Sequence, residues 1–331
     1  MSDAPDQRHD EENKSNPNRV NPNSRLHHDN FVCGFGEPAH LVPVASGHER
    51  AADWRHGVLH WSIPERGLAH NPLRNQRADP TFHNRERILG YQAEPTSGSL
   101  TNAEGTFTSE SGCSSNGCEH ATLFGVPEEN LYTEQLNTNR YSTTLQGYNV
   151  FYWQQFIYES DPSDLTASVQ MQFWIIGNPT APSCSSITVG GVSWSGLGAP
   201  ANQCYHNSQI VTAPYLETSQ LTQTSLFGGV ATVGDTLKFY NGGHVYAATD
   251  KDVFSFASNG GWKWAEYNIF GIPGASEAVF DSGVTLSLQN TAYNGGFTQC
   301  YTTTSFTGEY NNMNLRSCGG NGEYIAYSQN T

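Results

Sequence analysis

From Leu100 to the end of the chain, short runs of β-branched and aromatic residues alternate with clusters of Gly, Asn, Ser, Asp and Pro. Such runs are typical of strands and such clusters of turns, and no helical period is sustained. The sequence therefore predicts an all-β protein, a two-sheet antiparallel β-sandwich of the jelly-roll or concanavalin-like type. The predicted strands are Tyr148–Glu159, Ser168–Ile176, Ser186–Trp194, Gln209–Thr212, Thr236–Tyr240, His244–Thr249, Val253–Phe256, Trp262–Phe270, Val284–Gln289, Phe297–Thr304 and Glu323–Tyr327.

Charge divides the chain near Ser97. The chain has 16 Lys+Arg and 31 Asp+Glu; residues 1–98 hold 11 and 13 of them, which leaves 5 and 18, a net charge of −13, for residues 99–331. The first 30 residues are almost entirely polar and cannot bury enough apolar surface to offset the entropy of ordering. We therefore predict a disordered or loosely structured N-terminal segment over residues 1–98 and a β-sandwich domain over residues 99–331.

Composition and residue spacing argue against nucleic acid, a membrane, a metal ion or a nucleotide as a partner. An acidic domain lacks the basic face that nucleic acid requires, and the sequence has no apolar run long enough to span a membrane. The scattered N-terminal histidines show no metal-ligand spacing, and no nucleotide-binding glycine motif follows a strand. The sequence thus predicts a monomer without metal or cofactor.

Six of the seven cysteines form three close pairs, each spanning a stretch rich in Gly, Ser or Asn. An even set of cysteines in a polar β domain is typical of disulfides in an oxidising compartment. A zinc site at the first pair is the alternative, but half of its ligand set is missing. We expect an extracellular protein, although the first 30 residues lack the apolar core of a secretory signal. The predicted disulfides are Cys113–Cys118, Cys184–Cys204 and Cys300–Cys318.

The predicted strand that ends at Phe270 carries a candidate catalytic carboxylate. Alternation places Glu266 between Trp264 and Asn268, on the face opposite an apolar one. An indole ring beside a carboxyl group displaces water and favours the protonated form, which is useful in general acid–base chemistry. The alternative interpretation is an ordinary solvent-facing glutamate.

Two glutamines on the strongest strands are candidate partners of this carboxylate. Gln155 lies two residues from Trp153, and Gln172 lies two residues from Trp174. A glutamine amide can stabilise an oxyanion through its NH2 group, and it can equally line a polar groove. Which face of the 148–159 strand meets the core stays open, because both faces carry apolar side chains.

The segment Trp264–Thr285 resembles the strand and following aromatic–Gly stretch of the eqolisin-type glutamic peptidases, and Val233–Leu237 resembles the strand before it. That resemblance implies that Glu266 is the glutamate of a Gln/Glu catalytic dyad on a concave sheet. The family's short Gln motif would align with Ile187–Val192, which holds no Gln, so a dyad here would recruit Gln155 or Gln172. Residues 140–331 also resemble a group of secreted β-sandwich proteins, through the motifs Trp153–Tyr158, Gln172–Trp174, Glu266–Gly271 and Thr307–Leu315.

Two functions agree with these features. The first is a secreted, acid-active glutamic-type endopeptidase, in which Glu266 is the general base and a glutamine amide stabilises the oxyanion. The second is a non-catalytic, lectin-like carbohydrate-binding or surface module, in which tryptophans stack on sugar rings. Glu309 could pair with Glu266 as a second carboxylate, or bond backbone amides in a turn. The candidate substrate-binding residues are Trp153, Trp174, Trp264, Asn268 and Glu309.

Overall fold

The computed structural model of the chain describes residues 88–123, 126–162, 165–177, 183–197, 203–272, 277–293, 297–304, 310–320 and 322–331. Most of the predicted N-terminal segment, residues 1–87, lies outside the described residues.

Ten strands form the larger sheet, and every pairing within it is antiparallel. Two of them lie off the main path: β6 (Tyr141–Leu145) pairs with β7 (Tyr148–Asp161), and β11 (Val211–Pro214) pairs with β8 (Thr166–Gly177). Numbered in chain order and given in spatial order, the others are β18 (Phe297–Thr304), β1 (Ile88–Pro95), β15 (Ala265–Phe270), β5 (Thr133–Thr138), β7 (Tyr148–Asp161), β8 (Thr166–Gly177), β10 (Gln203–Asn207) and β9 (Ser195–Leu197).

A second, seven-stranded sheet is also antiparallel. In spatial order it contains β14 (His244–Asp250), β13 (Asp235–Asn241), β12 (Thr224–Gly229), β2 (Asn102–Ser111), β17 (Thr285–Ala292), β21 (Tyr324–Asn330) and β20 (Asn314–Gly320). Outside the two large sheets, the described residues form two strand pairs, β3 (His120–Leu123) with β4 (Val126–Glu129) and β16 (Glu277–Ala278) with β19 (Tyr310–Asn311). They also form the helix α1 (Phe256–Asn259) and 3-10 turns at Cys184–Ser186, Val189–Gly191 and Thr218–Gln223.

The two sheets pack against each other around one apolar core, which confirms the predicted all-β sandwich. On β8 the predicted apolar face, Val169 to Ile175, is buried in this core. On β7 the core face is the one that includes Phe156 and Tyr158, because Phe156 stacks on Trp262 and Tyr158 stacks on Phe239 of the seven-stranded sheet. The opposite face of β7, which carries Gln155, therefore belongs to the outer side of the ten-stranded sheet.

The sandwich begins earlier than residue 99, where the sequence placed the domain boundary. β1 lies between β15 and β18 and is hydrogen-bonded to both. Its residue Ala93 is fully buried, and Tyr91 makes an edge contact with the ring of Tyr327. β1 reads ILGYQAEP, in which Leu89, Tyr91 and Ala93 alternate with Gly90, Gln92 and Glu94, so a short period-2 pattern was available to indicate this strand.

Two predicted strands are wrong. Over Ser186–Trp194 the chain forms 3-10 turns, and Gly190 and Gly191 adopt φ angles of 65° and 64°. These left-handed backbone angles favour glycine and end any extended run. Over Val253–Phe256 the chain bends and enters α1, with Ser255 at a φ of 55°.

The three predicted disulfides are present: Cys113–Cys118, Cys184–Cys204 and Cys300–Cys318. They are compatible with an extracellular location. Among the described residues, no helix has the length and apolar character needed to cross a bilayer.

Candidate functional site

The outer face of the ten-stranded sheet, meaning the face turned away from the seven-stranded sheet, carries a line of amide side chains that includes one carboxylate. The strand register sets these residues directly opposite one another on six adjacent strands, so their side chains point to the same side. We call this line the amide row; it consists of Gln92, Glu266, Asn137, Gln155, Gln172 and Asn207.

Glu266 occupies the amide row between two amides, with Gln92 opposite it on β1 and Asn137 opposite it on β5. It is 7% exposed, and its Oε2 atom accepts a hydrogen bond from Asn137 Nδ2 at 3.4 Å. A Cβ atom at Gly90 would stand 3.0 Å from Glu266 Oε1. The missing side chain at Gly90 therefore leaves the room that this carboxylate occupies.

Hydrogen bonds link the amides on neighbouring strands. Trp174 Nε1 donates to Gln155 Oε1 at 2.8 Å, and Gln155 Nε2 donates to Gln135 Oε1 at 2.7 Å. Asn137 Nδ2 approaches the same Gln135 oxygen at 3.4 Å, so it is shared between Gln135 and Glu266. The chain of contacts thus runs from Trp174 on β8 to Glu266 on β15, and its weakest links are the two long ones at Asn137.

Three amide oxygens on the outer face have no hydrogen-bond partner among the described residues: Asn137 Oδ1, Gln170 Oε1 and Asn207 Oδ1. Asn137 and Gln170 are 3% and 4% exposed. A buried acceptor without a donor costs free energy, so such oxygens in a native fold require an explanation. Because these oxygens are buried, a ligand that carries N–H or O–H groups reaches them only when the surrounding side chains move.

The two predicted glutamines lie on the outer face but do not contact Glu266. β5 separates β15 from β7, so Gln155 is two strands from the carboxylate and Gln172 is three strands away. Gln155 reaches Glu266 through Gln135 and Asn137, and Gln172 is half-buried farther along the amide row. The amides next to Glu266 are Gln92 and Asn137, neither of which the sequence indicated.

The three predicted tryptophans differ in exposure. Trp153 is buried and donates its Nε1–H to the Thr138 carbonyl at 2.9 Å, while the guanidinium of Arg140 lies 5.9 Å from its ring centroid. Trp174 and Trp264 are half-buried. Trp174 thus presents part of its ring to a ligand next to the amide row.

The last two candidate substrate-binding residues are Asn268 and Glu309, and only Asn268 lies within the described residues. Asn268 is fully buried, and its amide exchanges hydrogen bonds with Gln329, at 2.8 Å and 3.3 Å, so it fixes β15 against β21. Glu309 lies outside the described residues. Their predicted roles in substrate binding stay predictions.

Sequence reasoning missed Gln92, Gln135 and Asn137, all of which contribute to the outer face. The strand β5 reads TEQLNT, with a single aliphatic side chain, so hydrophobic alternation does not reveal it. The signal that was available is the Gln135–Asn137 spacing, which puts both amides on one face of any strand.

Other carboxyl groups lie inside the protein rather than on the outer face. Glu134 on β5 is fully buried and accepts hydrogen bonds from Tyr267 Oη at 3.0 Å and from Thr224 Oγ1 at 3.1 Å. Burial raises the pKa of Glu134 from 4.5 to about 8. Burial likewise raises the pKa of Glu119 from 4.5 to about 8, despite hydrogen bonds from two backbone N–H groups that lower it.

Asp235 on β13 has a pKa raised from 3.8 to about 8, first by burial and then by the charge of Asp252. Its Oδ2 atom accepts a hydrogen bond from Gln154 Nε2 at 3.1 Å. Asp235 Oδ1 and Gln154 Oε1 have no partner among the described residues. The protonated acid is therefore the form that suits this environment.

In the part of the chain that the structure describes, no group of three or more His, Cys, Asp or Glu side chains is arranged to hold a metal ion. Comparison of the sequence with protein-family models and with curated proteins finds no match in either case.

Proposed function

We propose that the protein is an acid-active endopeptidase that uses the Glu266 carboxylate and a neighbouring amide to hydrolyse peptide bonds. The observation that carries this proposal is the pairing of Glu266 with Asn137 Nδ2 at 3.4 Å on a face where three amide oxygens have no partner in the described part of the chain. The resemblance of the Glu266 strand to that of the eqolisin-type peptidases agrees with it.

In the proposed reaction, Glu266 takes a proton from a water molecule as the water oxygen attacks the peptide carbonyl carbon. The carbonyl oxygen becomes an oxyanion, and the Asn137 NH2 group turns from its two long hydrogen bonds to donate to it. Glu266 then gives the proton to the amide nitrogen, and the C–N bond breaks to release an amine and a carboxylic acid.

Gln155 and Gln172 take a supporting part in this proposal. Gln155 Nε2 occupies one lone pair of Gln135 Oε1, which also receives the Asn137 amide. This arrangement holds the Asn137 NH2 group toward Glu266. Gln172 and Asn207, farther along the amide row, bind the polypeptide rather than the reacting carbonyl.

A carbohydrate-binding module is the second candidate, and the observation in its favour is the half-buried Trp174, whose ring centroid lies 5.5 Å from that of Tyr205. Paired aromatic rings beside amide acceptors also suit sugar rings and hydroxyl groups. The peptidase is preferred because the strand of Glu266 resembles that of the eqolisin-type peptidases.

The test is digestion of denatured casein by the purified, disulfide-bonded protein at unit steps between about pH 2 and 7, followed by mass spectrometry of the products. We expect cleavage that is fastest in acid and is insensitive to chelators. If casein stays intact at every pH while neutral oligosaccharides bind, the carbohydrate-binding module is the correct function.

A further inference from the structure

The outer face has an apolar area beside the far end of the amide row. Phe151 lies opposite Ile176, and Trp174 lies opposite Tyr205 in the adjacent register positions. Phe151 is 42% exposed, and the other three side chains are half-buried. We call these four residues, Phe151, Trp174, Ile176 and Tyr205, the aromatic patch.

The aromatic patch is joined to the candidate catalytic residues. The hydrogen bond from Trp174 Nε1 to Gln155 Oε1, at 2.8 Å, fixes the indole ring against the amide row. Asn207 lies two residues beyond Tyr205 on β10, and its Oδ1 atom has no partner among the described residues. The patch is therefore an apolar surface continuous with the amide row, which suits a side chain of a ligand that lies along the row.

Strand spacing sets how far the patch lies from the carboxylate. Adjacent strands are about 4.8 Å apart, so Trp174 and Tyr205 lie roughly 14 and 19 Å from Glu266 across the sheet. An extended polypeptide advances about 3.4 Å per residue, so this span corresponds to about four to six residues.

We propose that the aromatic patch is a distal subsite that binds an aromatic or large aliphatic side chain of an extended polypeptide, four to six residues from the bond beside Glu266. This proposal rests on the proposed peptidase function for the identity of the ligand as a polypeptide. Charge complementarity narrows the class of polypeptide: with 5 Lys+Arg against 18 Asp+Glu in residues 99–331, the domain is negatively charged at pH 7 and attracts cationic rather than acidic chains at that pH.

The first arm of the test measures binding without cleavage. Peptides of Ser, Gly, Asn and Lys, with or without a single Phe, are titrated into the Glu266→Gln protein while tryptophan fluorescence is recorded. We expect the Phe-containing peptide to bind about tenfold more tightly, and this advantage to disappear in the additional variants Phe151→Ser and Tyr205→Ser. Val245→Ser, an exposed apolar position on β14 of the other sheet, is the matched control and keeps the advantage.

The second arm measures how many residues separate the bound Phe side chain from the cleaved bond. In a peptide that contains the bond cleaved best in casein, one Phe is moved residue by residue, and kcat/KM is measured for the wild type and for Tyr205→Ser. We expect kcat/KM to be highest when the Phe lies four to six residues from the cleaved bond on one side. This maximum is lost in Tyr205→Ser, whereas cleavage of the peptide without the distal Phe is unchanged.

The two arms separate failure of the subsite from failure of the peptidase. If Phe-dependent binding is lost in both patch variants but nothing is cleaved, the subsite stands and the peptidase does not. Equal binding with and without Phe, an advantage that survives in the patch variants, or binding of a neutral hexasaccharide in place of peptides would overturn the proposed subsite.

Discussion

Glu266 and Glu134 lie on neighbouring strands of the same sheet but on opposite faces. Glu134 points into the core, is fully buried, and is held by the hydroxyl groups of Tyr267 and Thr224. Glu266 points to the outer face, keeps a small exposed area, and has an amide at a long hydrogen-bonding distance. Strand alternation therefore gives carboxyl groups on two neighbouring strands entirely different surroundings.

The difference between these surroundings determines what each carboxyl group is suited to do. The donors around Glu134 are packed in the core and cannot turn toward a ligand, so Glu134 contributes to the free energy of unfolding and its pH dependence. The donor beside Glu266 is shared, and the neighbouring Asn137 Oδ1 atom has no partner among the described residues, so Glu266 is suited to a reaction. The predictions below test this division between core carboxyls and the outer-face carboxylate.

The largest expected effect is a loss of stability as the pH rises. The folded-state pKa values of Glu119, Glu134 and Asp235 are all raised to about 8, whereas the ordinary values are 4.5, 4.5 and 3.8. The folded protein thus holds these protons more tightly than the unfolded chain, and the resulting stability is complete below about pH 4 and is lost as the pH rises toward 8.

We expect the free energy of unfolding to fall by several kcal/mol between about pH 4 and pH 8, measured by urea denaturation at constant ionic strength. A free energy of unfolding that is constant or rises over this range would show that the core carboxyls are ionised in the folded protein.

The next effect concerns the amide beside Glu266. Asn137→Ala should lower kcat for casein peptides roughly 10²–10³-fold, because it removes the proposed oxyanion donor. Gln155→Ala should cost less, since it acts through Gln135, and Gln172→Ala should act mainly on KM. A larger loss of kcat in Gln155→Ala or Gln172→Ala than in Asn137→Ala would place the oxyanion elsewhere on the amide row.

A smaller effect is expected at Asp235. Asp235→Asn replaces an acid by its neutral counterpart, and the new NH2 group can donate to Gln154 Oε1, which lacks a partner among the described residues. We expect the variant to gain about 1–2 kcal/mol in free energy of unfolding at pH 8, with little change at pH 4. Equal destabilisation at both pH values would mean that Asp235 is ionised and needed in that form.

The smallest effect is expected at Gly90. In Gly90→Ala the new methyl group would stand 3.0 Å from Glu266 Oε1, so the carboxylate must move by a few tenths of an ångström. We expect kcat/KM to fall about tenfold while the urea midpoint changes little. The matched control is Gly319→Ala on β20, where a Cβ atom meets nothing within 4 Å. An unchanged kcat/KM in Gly90→Ala would indicate that the position of Oε1 is not critical.

The sequence predicted the sandwich, the three disulfides and the strands that hold Gln155, Gln172 and Glu266, because these strands alternate strongly and the cysteines pair locally. It did not reveal β5, whose residues are polar on both faces. It also left open which face of β7 is buried, because both faces carry apolar side chains and each carries one of the glutamines Gln154 and Gln155. The row itself depends on pairing between β5 and β15, which are far apart in the chain, and no local pattern encodes that contact.

The most direct test of the account exchanges the two glutamates one at a time. Glu266→Gln and Glu134→Gln are each assayed for acid cleavage of denatured casein and for the pH dependence of unfolding in urea. We predict that Glu266→Gln abolishes cleavage and keeps the wild-type fall in stability with pH, whereas Glu134→Gln keeps cleavage and reduces that fall. Wild-type cleavage by Glu266→Gln would contradict the assignment of the reaction to the outer face.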